Sequence, residues 1–280
     1  MSEHSLRIDA HQHFWNYSQS SYSWIDEDME RIRKDFLPAD LAPVLKEYKM
    51  DGCVAVQARQ NDEETPFLLG LAKQNSFIKG VVGWVDLLAD DLEEKLERCT
   101  SQPILKGFRH SLQDEADPAF ILQPRFQKGL RLLLKYNFTY DLLIKPPQFQ
   151  ATIKALDSYN EMPMVLDHMA KPLIKSGEME QWREDIFALA KHKTVMCKLS
   201  GMVTEADWQS WKYEDLEPYL DTVLEAFGPE RLMFGSDWPV CLVAAEYGEV
   251  IGAVERHISK LSASEQSQIM GSNAIKFYNL

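Results

Sequence analysis

The chain has 280 residues, of which 45% are hydrophobic and 26% are charged, a composition and length that allow one large core. Its net charge of −13, without any basic stripe, argues against nucleic acid as a partner. No apolar run reaches the roughly 18 residues of a transmembrane helix, and the polar N-terminus leaves no room for a signal peptide, so we expect neither a membrane nor export.

Strands and helices alternate along the predicted chain. Short apolar runs predict strands at residues 6–10, 53–57, 78–85, 104–110, 137–144, 164–168, 195–201 and 232–235. Amphipathic patterns predict helices at residues 38–48, 62–75, 88–99, 124–135, 146–160, 178–191, 213–227, 245–261 and 264–278. A long aromatic loop separates the first strand from the first helix.

The predicted strands are apolar throughout instead of alternating, which is typical of a parallel sheet covered by helices. Eight strand–helix units at a spacing of about 30 residues predict a single (β/α)8 TIM barrel that spans residues 1–280 as one domain. An open doubly wound sheet is the alternative. No glycine-rich dinucleotide fingerprint supports it.

The carboxyl ends of the strands are where such a barrel has its active site. Polar and aromatic side chains are concentrated there: His11, His13, Gln57, Trp84, Asp86, Arg109, His110, Tyr140, Asp141, His168, Lys198, Ser200 and Asp237. His11 and His13 are two residues apart, so on an extended backbone their imidazoles point to the same face. The alternative is a surface histidine pair near a loosely held N-terminus.

Four of these residues form a nitrogen and oxygen ligand set. His11, His13, His168 and Asp237 suit Zn²⁺ or a similar divalent ion, which polarises a carbonyl or lowers the pKa of a bound water. Asp237 is also predicted to take the proton from that water and return it to the leaving oxygen. The alternatives are a buried His168 bonded to backbone and an Asp237 that only shapes the turn in Gly-Ser-Asp-Trp-Pro.

Arg109 follows Gly107-Phe108 at the end of the fourth strand, where its guanidinium can clamp a carboxylate or bind an oxyanion. The alternative for Arg109 is an ion pair with Asp86 or Asp141. We predict Arg109 and the adjacent His110, together with His168 and Asp237, as catalytic residues.

The predicted substrate-binding residues are two aromatic and two polar side chains near the strand ends. Trp24 and Trp84 are predicted to form apolar walls against a sugar ring, and Gln57 and Asp141 to bind its polar groups. Buried packing is the alternative for each of the aromatics.

Five blocks of sequence carry the strand-end residues: Asp9-Ala-His-Gln-His13-Phe-Trp15, Lys106-Gly-Phe-Arg-His110, Leu166-Asp-His-Met-Ala-Lys-Pro172, Cys197-Lys-Leu-Ser-Gly201 and Phe234-Gly-Ser-Asp-Trp-Pro239. In this order they resemble the amidohydrolase superfamily, and within it the sugar-lactonase branch that includes L-fucono-, L-rhamnono- and 2-pyrone-4,6-dicarboxylate lactonases. The resemblance implies a metal-dependent-hydrolase barrel that opens lactone rings with water. It also implies His11, His13, His168 and Asp237 as the central constellation, with Arg109 polarising or binding substrate.

One position departs from the two-metal members of this superfamily. They carry a bridging carboxylated lysine at the end of the fourth strand, where this chain has Phe108-Arg109-His110. The resemblance therefore implies one divalent metal, zinc first, or no metal at all.

The predicted enzyme is a hydrolase that opens a small sugar-acid lactone. A decarboxylase of the same superfamily and a barrel that binds carbohydrate without turning it over are the alternatives. Four scattered cysteines without a CxxC motif favour a reducing cytoplasm. Homo-oligomerisation stays open at this point.

Overall fold

A computed structural model describes residues 5–159 and 161–280. Eight strands form one sheet, and each strand is parallel to the next one along the chain. The strands are β1 (Ile8–Gln12), β2 (Gly52–Val56), β3 (Ile78–Gly83), β4 (Leu105–His110), β5 (Thr139–Leu142), β6 (Met164–Leu166), β7 (Val195–Leu199) and β8 (Leu232–Phe234).

Helices follow each strand and cover the outside of the sheet. They are α1 (Pro38–Glu47), α2 (Glu64–Gln74), α3 (Leu92–Cys99), α4 (Pro124–Lys135), α5 (Phe149–Leu156), α6 (Glu180–Leu189), α7 (Met202–Glu205), α8 (Tyr213–Phe227), α9 (Tyr247–Ile258), α10 (Ala263–Ser267) and α11 (Asn273–Tyr278). None of the helices within residues 5–159 and 161–280 combines the length and apolar character needed to cross a membrane.

The sheet closes on itself where the residues after β8 meet β1. Gln12 forms a parallel bridge with Trp238, and the backbone N–H of His13 donates to the Trp238 carbonyl at 2.7 Å. The N–H of Asp237 donates to the carbonyl of His11 at 2.8 Å. The predicted (β/α)8 barrel is therefore confirmed. The seam where it closes brings the predicted metal ligands His11 and His13 next to Asp237, which follows β8.

A β-bulge interrupts β1 between Asp9 and Gln12, a stretch that includes His11. Asp9 is paired with Cys53 and Gln12 with Ala55, so β1 uses one residue more than β2 over the same stretch. As a result Ala10 packs in the apolar interior of the barrel, and the neighbouring His11 also faces inward. The bulge thus points two successive side chains at the barrel axis.

The lower half of the barrel interior is apolar and is closed by the C-terminal helix. Side chains from five strands pack there with Ala274 and Tyr278 of α11: Ile8, Ala10, Val54, Val56, Val82, Val165 and Met233. A larger apolar layer lies between the sheet and the surrounding helices. Chemistry is therefore confined to the upper half, at the carboxyl ends of the strands.

Three of the predicted elements differ clearly in length from the observed ones. β6 ends at Leu166, because residues 167–170 turn sharply and His168 and Met169 both have φ 53°. The helix predicted for residues 264–278 is divided into α10 and α11 by a π-helical turn, Gln268–Ser272. The helix predicted to end at Asn160 ends at Leu156, and Asn160 itself lies outside the described residues.

Candidate active site

A cavity of about 590 Å³ opens at the carboxyl ends of the strands. This is the size of a small-molecule pocket, for which roughly 300–1,000 Å³ is usual. His13, Arg109, His168 and Asp237 line it. All four are buried, so their charges and lone pairs act in an environment from which most water is excluded.

His13 is held in place by a backbone carbonyl of β2. Its Nδ1 lies 2.8 Å from the carbonyl oxygen of Val56, and since a carbonyl only accepts, Nδ1 carries the proton. Nε2 then faces His11 Nε2 at 3.2 Å and Asp237 Oδ1 at 3.3 Å. His11 lies directly beneath it and is fully buried.

Asp237 follows β8 in a left-handed conformation, with φ 58°. Its Oδ1 lies 3.8 Å from His11 Nε2 and 3.9 Å from His168 Nε2, so three imidazoles surround the carboxylate. Burial raises the pKa of Asp237, but the facing His168 and the contacts with His13 and His11 outweigh it and hold that pKa well below its usual range. The carboxylate is ionised at neutral pH.

His168 is held by an unusual backbone and by β7. It begins a run of four non-glycine residues, 168–171, that all have positive φ, a conformation that persists only where the surrounding structure fixes it. Its Nδ1 lies 2.9 Å from Ser200 Oγ, which orients Nε2 toward Asp237. Burial lowers the pKa of His168 to about 4, although Asp237 raises it in part.

Glycines leave room for two of these histidines. A Cβ at Gly201, where φ is 65°, would lie 2.5 Å from His168 Nδ1. A Cβ at Gly235 would lie 2.6 Å from the Cβ of His11. Real Cβ atoms do not approach other atoms this closely, so both positions admit the imidazole only because they are glycine.

Arg109 extends from β4 across the floor of the cavity. Nη1 donates to Asp167 Oδ2 at 3.0 Å and lies 3.3 Å from His11 Nε2, while Nη2 donates to the Gln57 carbonyl. The alternative predicted for Arg109 was an ion pair with Asp86 or Asp141. Arg109 does form an ion pair, but its partner is Asp167. The guanidinium is therefore fixed in orientation and still lines the cavity.

Below this layer lies a buried network of charges. Lys198 Nζ lies 2.5 Å from Asp141 Oδ2, 2.9 Å from Asp167 Oδ1 and 3.1 Å from His11 Nδ1. Tyr278 donates to Asp141 Oδ2 at 2.8 Å from below. Two carboxylates and two cations, Lys198 and Arg109, thus compensate each other inside the barrel.

We compared the sequence of this chain with models of known protein families. The amidohydrolase family model matches residues 8–280.

This chain belongs to the amidohydrolase family.

Two lactonases resemble it over nearly their whole length. An L-fucono-1,5-lactonase of Burkholderia multivorans is 43% identical, with 99% of this chain and 97% of the relative aligned. An L-fucono-1,5-lactonase of Burkholderia ambifaria is 36% identical over 99% of this chain and 96% of its own. A crystal structure of an amidohydrolase from Burkholderia multivorans with bound zinc has a TM-score of 0.95 at 43% identity, covering 98% of this chain and 99% of that one. The resemblance seen in the five motifs is confirmed.

The donor atoms of this amidohydrolase fit one metal ion. In one group, His11, His13 and Asp237 each offer an atom within 4.8 Å of the others, and a second group combines His11 with Asp167 and His168. Asp167 is already paired with Arg109 and Lys198, which leaves it poorly suited to a further cation. Imidazole nitrogens with one carboxylate oxygen are the ligand chemistry of Zn²⁺. The first group is therefore the better candidate centre.

The structure places one predicted catalytic residue of the amidohydrolase away from the cavity. Adjacent residues of a strand point to opposite faces, so His110 faces the helices while Arg109 faces the axis. His110 Nε2 lies 2.7 Å from Glu115 Oε1, and its ring stacks on Phe120 with centroids 5.5 Å apart. The prediction that His110 is catalytic does not fit this position.

Two predicted substrate-binding residues also lie elsewhere. Asp141 is fully buried beneath the site and is bonded to Lys198 and Tyr278, so it has no access to a ligand. Trp84 is not among the described residues that line the cavity, because the chain leaves the strand at Gly83 and Trp84 is tied to Thr65 through its backbone N–H and carbonyl.

The other two predicted substrate-binding residues do line the cavity. Trp24 is partly exposed at the rim, with its Nε1 donating to the Ala58 carbonyl, and Gln57 is buried at the floor. Sequence reasoning missed several polar and aromatic side chains that line the same space, among them Gln60, Asp114 and Trp208. They come from loops, whose positions no strand pattern indicates.

Proposed function

We propose that this amidohydrolase opens a sugar-acid lactone to the free acid, with an aldono-1,5-lactone as the first substrate class to test. The observation that carries the proposal is the convergence of one ionised carboxylate, two imidazoles and one guanidinium on a single cavity. The full-length relatives that are L-fucono-1,5-lactonases support the choice of ring.

In the proposed reaction, Asp237 accepts a proton from a water molecule whose oxygen attacks the lactone carbonyl carbon. Negative charge develops on the carbonyl oxygen, and the guanidinium of Arg109 stabilises it from a fixed position. The bond between the acyl carbon and the ring oxygen then breaks. Asp237 returns the proton to that leaving oxygen, and the product is a hydroxy acid.

Asp237 is suited to accepting a proton because it is ionised, but its low pKa makes it a weak base. Efficient proton transfer therefore requires that the carbonyl be polarised at the same time. Neutral His168, with its pKa lowered to about 4 by burial, faces the same carboxylate and provides a second polar contact for the reacting atoms. His11, His13 and Asp237 are the residues that would hold a zinc ion, and the ion would supply further Lewis acidity at this point.

The character of the cavity supports a neutral, hydroxyl-rich ligand. Trp24 and Trp208 offer apolar faces, and Gln60 and Asp114 offer hydrogen-bonding groups. Lys171, at the rim, lies 3.5 Å from Glu205, so its charge is partly compensated. Among the described residues, the lining as a whole carries four cationic side chains and three carboxylates, so its charges nearly balance, which suits a neutral sugar lactone: Arg59, Arg109, Lys145 and Lys171, with Asp114, Glu205 and Asp237.

The proposal is tested with Asp237→Asn and a panel of aldonolactones followed by acid release. We expect kcat to fall by about 10²–10⁴-fold while the affinity for an unreactive lactam analogue stays within a few fold. Asp86→Asn is the matched control, because Asp86 follows β3 and bonds Leu88 N. Full activity of Asp237→Asn would refute the role of this carboxylate. Release of CO₂ instead of acid would show a decarboxylase, and binding without turnover a carbohydrate-binding barrel.

A further inference from the structure

Arg59 lines the cavity and is held by a fully buried carboxylate that takes no part in the proposed reaction. Its Nε donates to Glu64 Oε2 at 2.8 Å, and Glu64 Oε1 accepts from the backbone N–H of Ala58 at 2.7 Å. Glu64 lies in α2 and has no exposed surface. Because burying a carboxylate is costly unless donors compensate it, these two contacts tie the guanidinium and the loop after β2 to α2.

Part of the guanidinium of Arg59 is left without a strong partner. Nη1 lies 3.5 Å from Glu63, whose side chain is 82% exposed, and an ion pair in such surroundings is weak. Nη2 donates to no residue within the described ranges 5–159 and 161–280. The buried ring of Tyr22 supports the group, with its centroid 5.8 Å from Cζ. The guanidinium is therefore fixed while its outer donors stay available to a ligand.

The loop that carries Arg59 forms one wall of the cavity, since residues 57–60 all line it. Two further contacts hold this wall. Trp24 Nε1 donates to the Ala58 carbonyl at 2.9 Å, and the N–H of Ser111 donates to Gln60 Oε1 at 2.7 Å. A donor on a wall that is held at several points can distinguish ligands by the positions of their acceptors.

We propose that Arg59 determines substrate specificity by donating hydrogen bonds to ring hydroxyl groups of the lactone, away from the carbonyl that reacts. This inference rests on the proposed function, in which Asp237 and Arg109 serve the reacting atoms. A guanidinium only donates, and a sugar lactone offers adjacent hydroxyl oxygens that accept. The competing explanation is that Arg59 and Glu64 only stabilise the loop, which predicts the same loss of activity for every substrate.

The test compares two lactones with the same six-membered ring. One is L-fucono-1,5-lactone, or the aldono-1,5-lactone that the wild type turns over fastest, and the other is δ-valerolactone, which has no hydroxyl group. Arg59→Met should lower kcat/KM for the first by about 10- to 100-fold, the range for a hydrogen bond from a charged donor, and for the second by no more than about twofold. Equal losses for both lactones, or no loss for the hydroxylated one, would overturn the inference.

Competitive inhibition by two unreactive lactams gives a second readout, which needs no turnover of the bare ring. The hydroxylated 1,5-lactam that matches the substrate should bind Arg59→Met about 10- to 100-fold more weakly than wild type, whereas 2-piperidinone should bind both alike. A variant that instead loses affinity chiefly for the acid product would show that the guanidinium binds a carboxylate, and this result would also overturn the inference.

The matched control is Arg125→Met, because Arg125 is an exposed arginine of α4 that pairs with Asp90 on the outside of the barrel. It should leave the ratio of the two kcat/KM values unchanged. Since Arg59→Met leaves Glu64 buried without its cation, Arg59→Met/Glu64→Gln keeps the test available if the single variant folds poorly.

The outcomes for Arg59 and for the proposed function are distinguishable. A wild type that turns over no lactone would contradict the proposed function. An active wild type whose Arg59→Met variant still prefers the hydroxylated lactone to the same degree would contradict this inference alone.

Discussion

Asp167 Oδ2 accepts a hydrogen bond of 3.0 Å from Nη1 of Arg109, and both side chains are buried. The pair fixes the guanidinium that we propose to bind the developing oxyanion. Asp167→Asn should therefore lower kcat/KM for the lactone by at least tenfold. It should also destabilise the protein by about 3–5 kcal/mol, because the buried charges of Arg109 and Lys198 lose an anion.

Urea unfolding and lactone turnover measure the two effects of Asp167→Asn. Asp157→Asn is the control, since Asp157 is an exposed residue just after α5 and should change stability by no more than about 0.5 kcal/mol. An Asp167→Asn enzyme with wild-type stability and turnover would show that Arg109 needs no fixed partner.

Arg109 and its neighbour His110 should respond very differently to substitution, because β4 points them to opposite faces. Arg109→Lys loses the forked geometry that bonds Asp167 and Gln57 O at once, so we expect kcat/KM to fall by about 10²-fold or more. His110→Gln should leave kcat/KM within about twofold and cost roughly 1 kcal/mol of stability through Glu115 and Phe120. Equal losses of activity would place His110 in the chemistry after all.

Much of the site follows from the sequence because a barrel gathers strand ends at one mouth. His13, His168, Arg109 and Asp237 were predicted from that rule and do line one cavity. The rule does not say which of two adjacent strand-end residues faces inward, and His110 was misplaced for that reason.

In the deeper network, Lys198 and Asp141 were predicted as strand-end residues, but Asp167 and its pairing with Lys198 were not. Asp167 and Lys198 are single charges within apolar runs, and only the three-dimensional packing of β6 against β7 shows that they meet. The bulge in β1 was invisible as well, since no glycine or proline marks it between Asp9 and Gln12. Alternation of side chains along β6 and β7 could have indicated the inward direction of Asp167 and Lys198.

Gly201 should be required for the position of His168. A methyl group there would lie 2.5 Å from His168 Nδ1 and would also strain a backbone with φ 65°, so Gly201→Ala should displace the imidazole and lower kcat by about tenfold or more. Gly70→Ala is a matched control in α2, where an added Cβ meets nothing within 4 Å and should stabilise the helix by up to about 1 kcal/mol. A fully active Gly201→Ala enzyme would mean that the loop adjusts without cost.

The activity of the metal-free enzyme should fall only in strongly acidic solution. Burial lowers the pKa of His168 to about 4, and the surrounding imidazoles hold the pKa of Asp237 below its usual range. Both groups therefore keep their proposed charge states from neutral pH down to about pH 5. We expect kcat/KM, measured with a chelator present, to stay level over that range and to decline through pH 4 as His168 gains a proton.

The lowered pKa of His168 also predicts how the free energy of unfolding depends on pH. The folded-state pKa of His168 lies below the unfolded value of 6.5, so the unfolded chain binds more protons between the two. The stabilisation from neutral His168 is present above pH 6.5 and is lost as the pH falls toward 4, by about 3 kcal/mol in all. Because burial raises the pKa of Asp9 and Asp141 to about 6, these two acids act in the opposite direction. Comparing urea unfolding of wild type with His168→Gln at pH 7 and pH 4 cancels their effect, and an unchanged difference between the two proteins would contradict the lowered pKa.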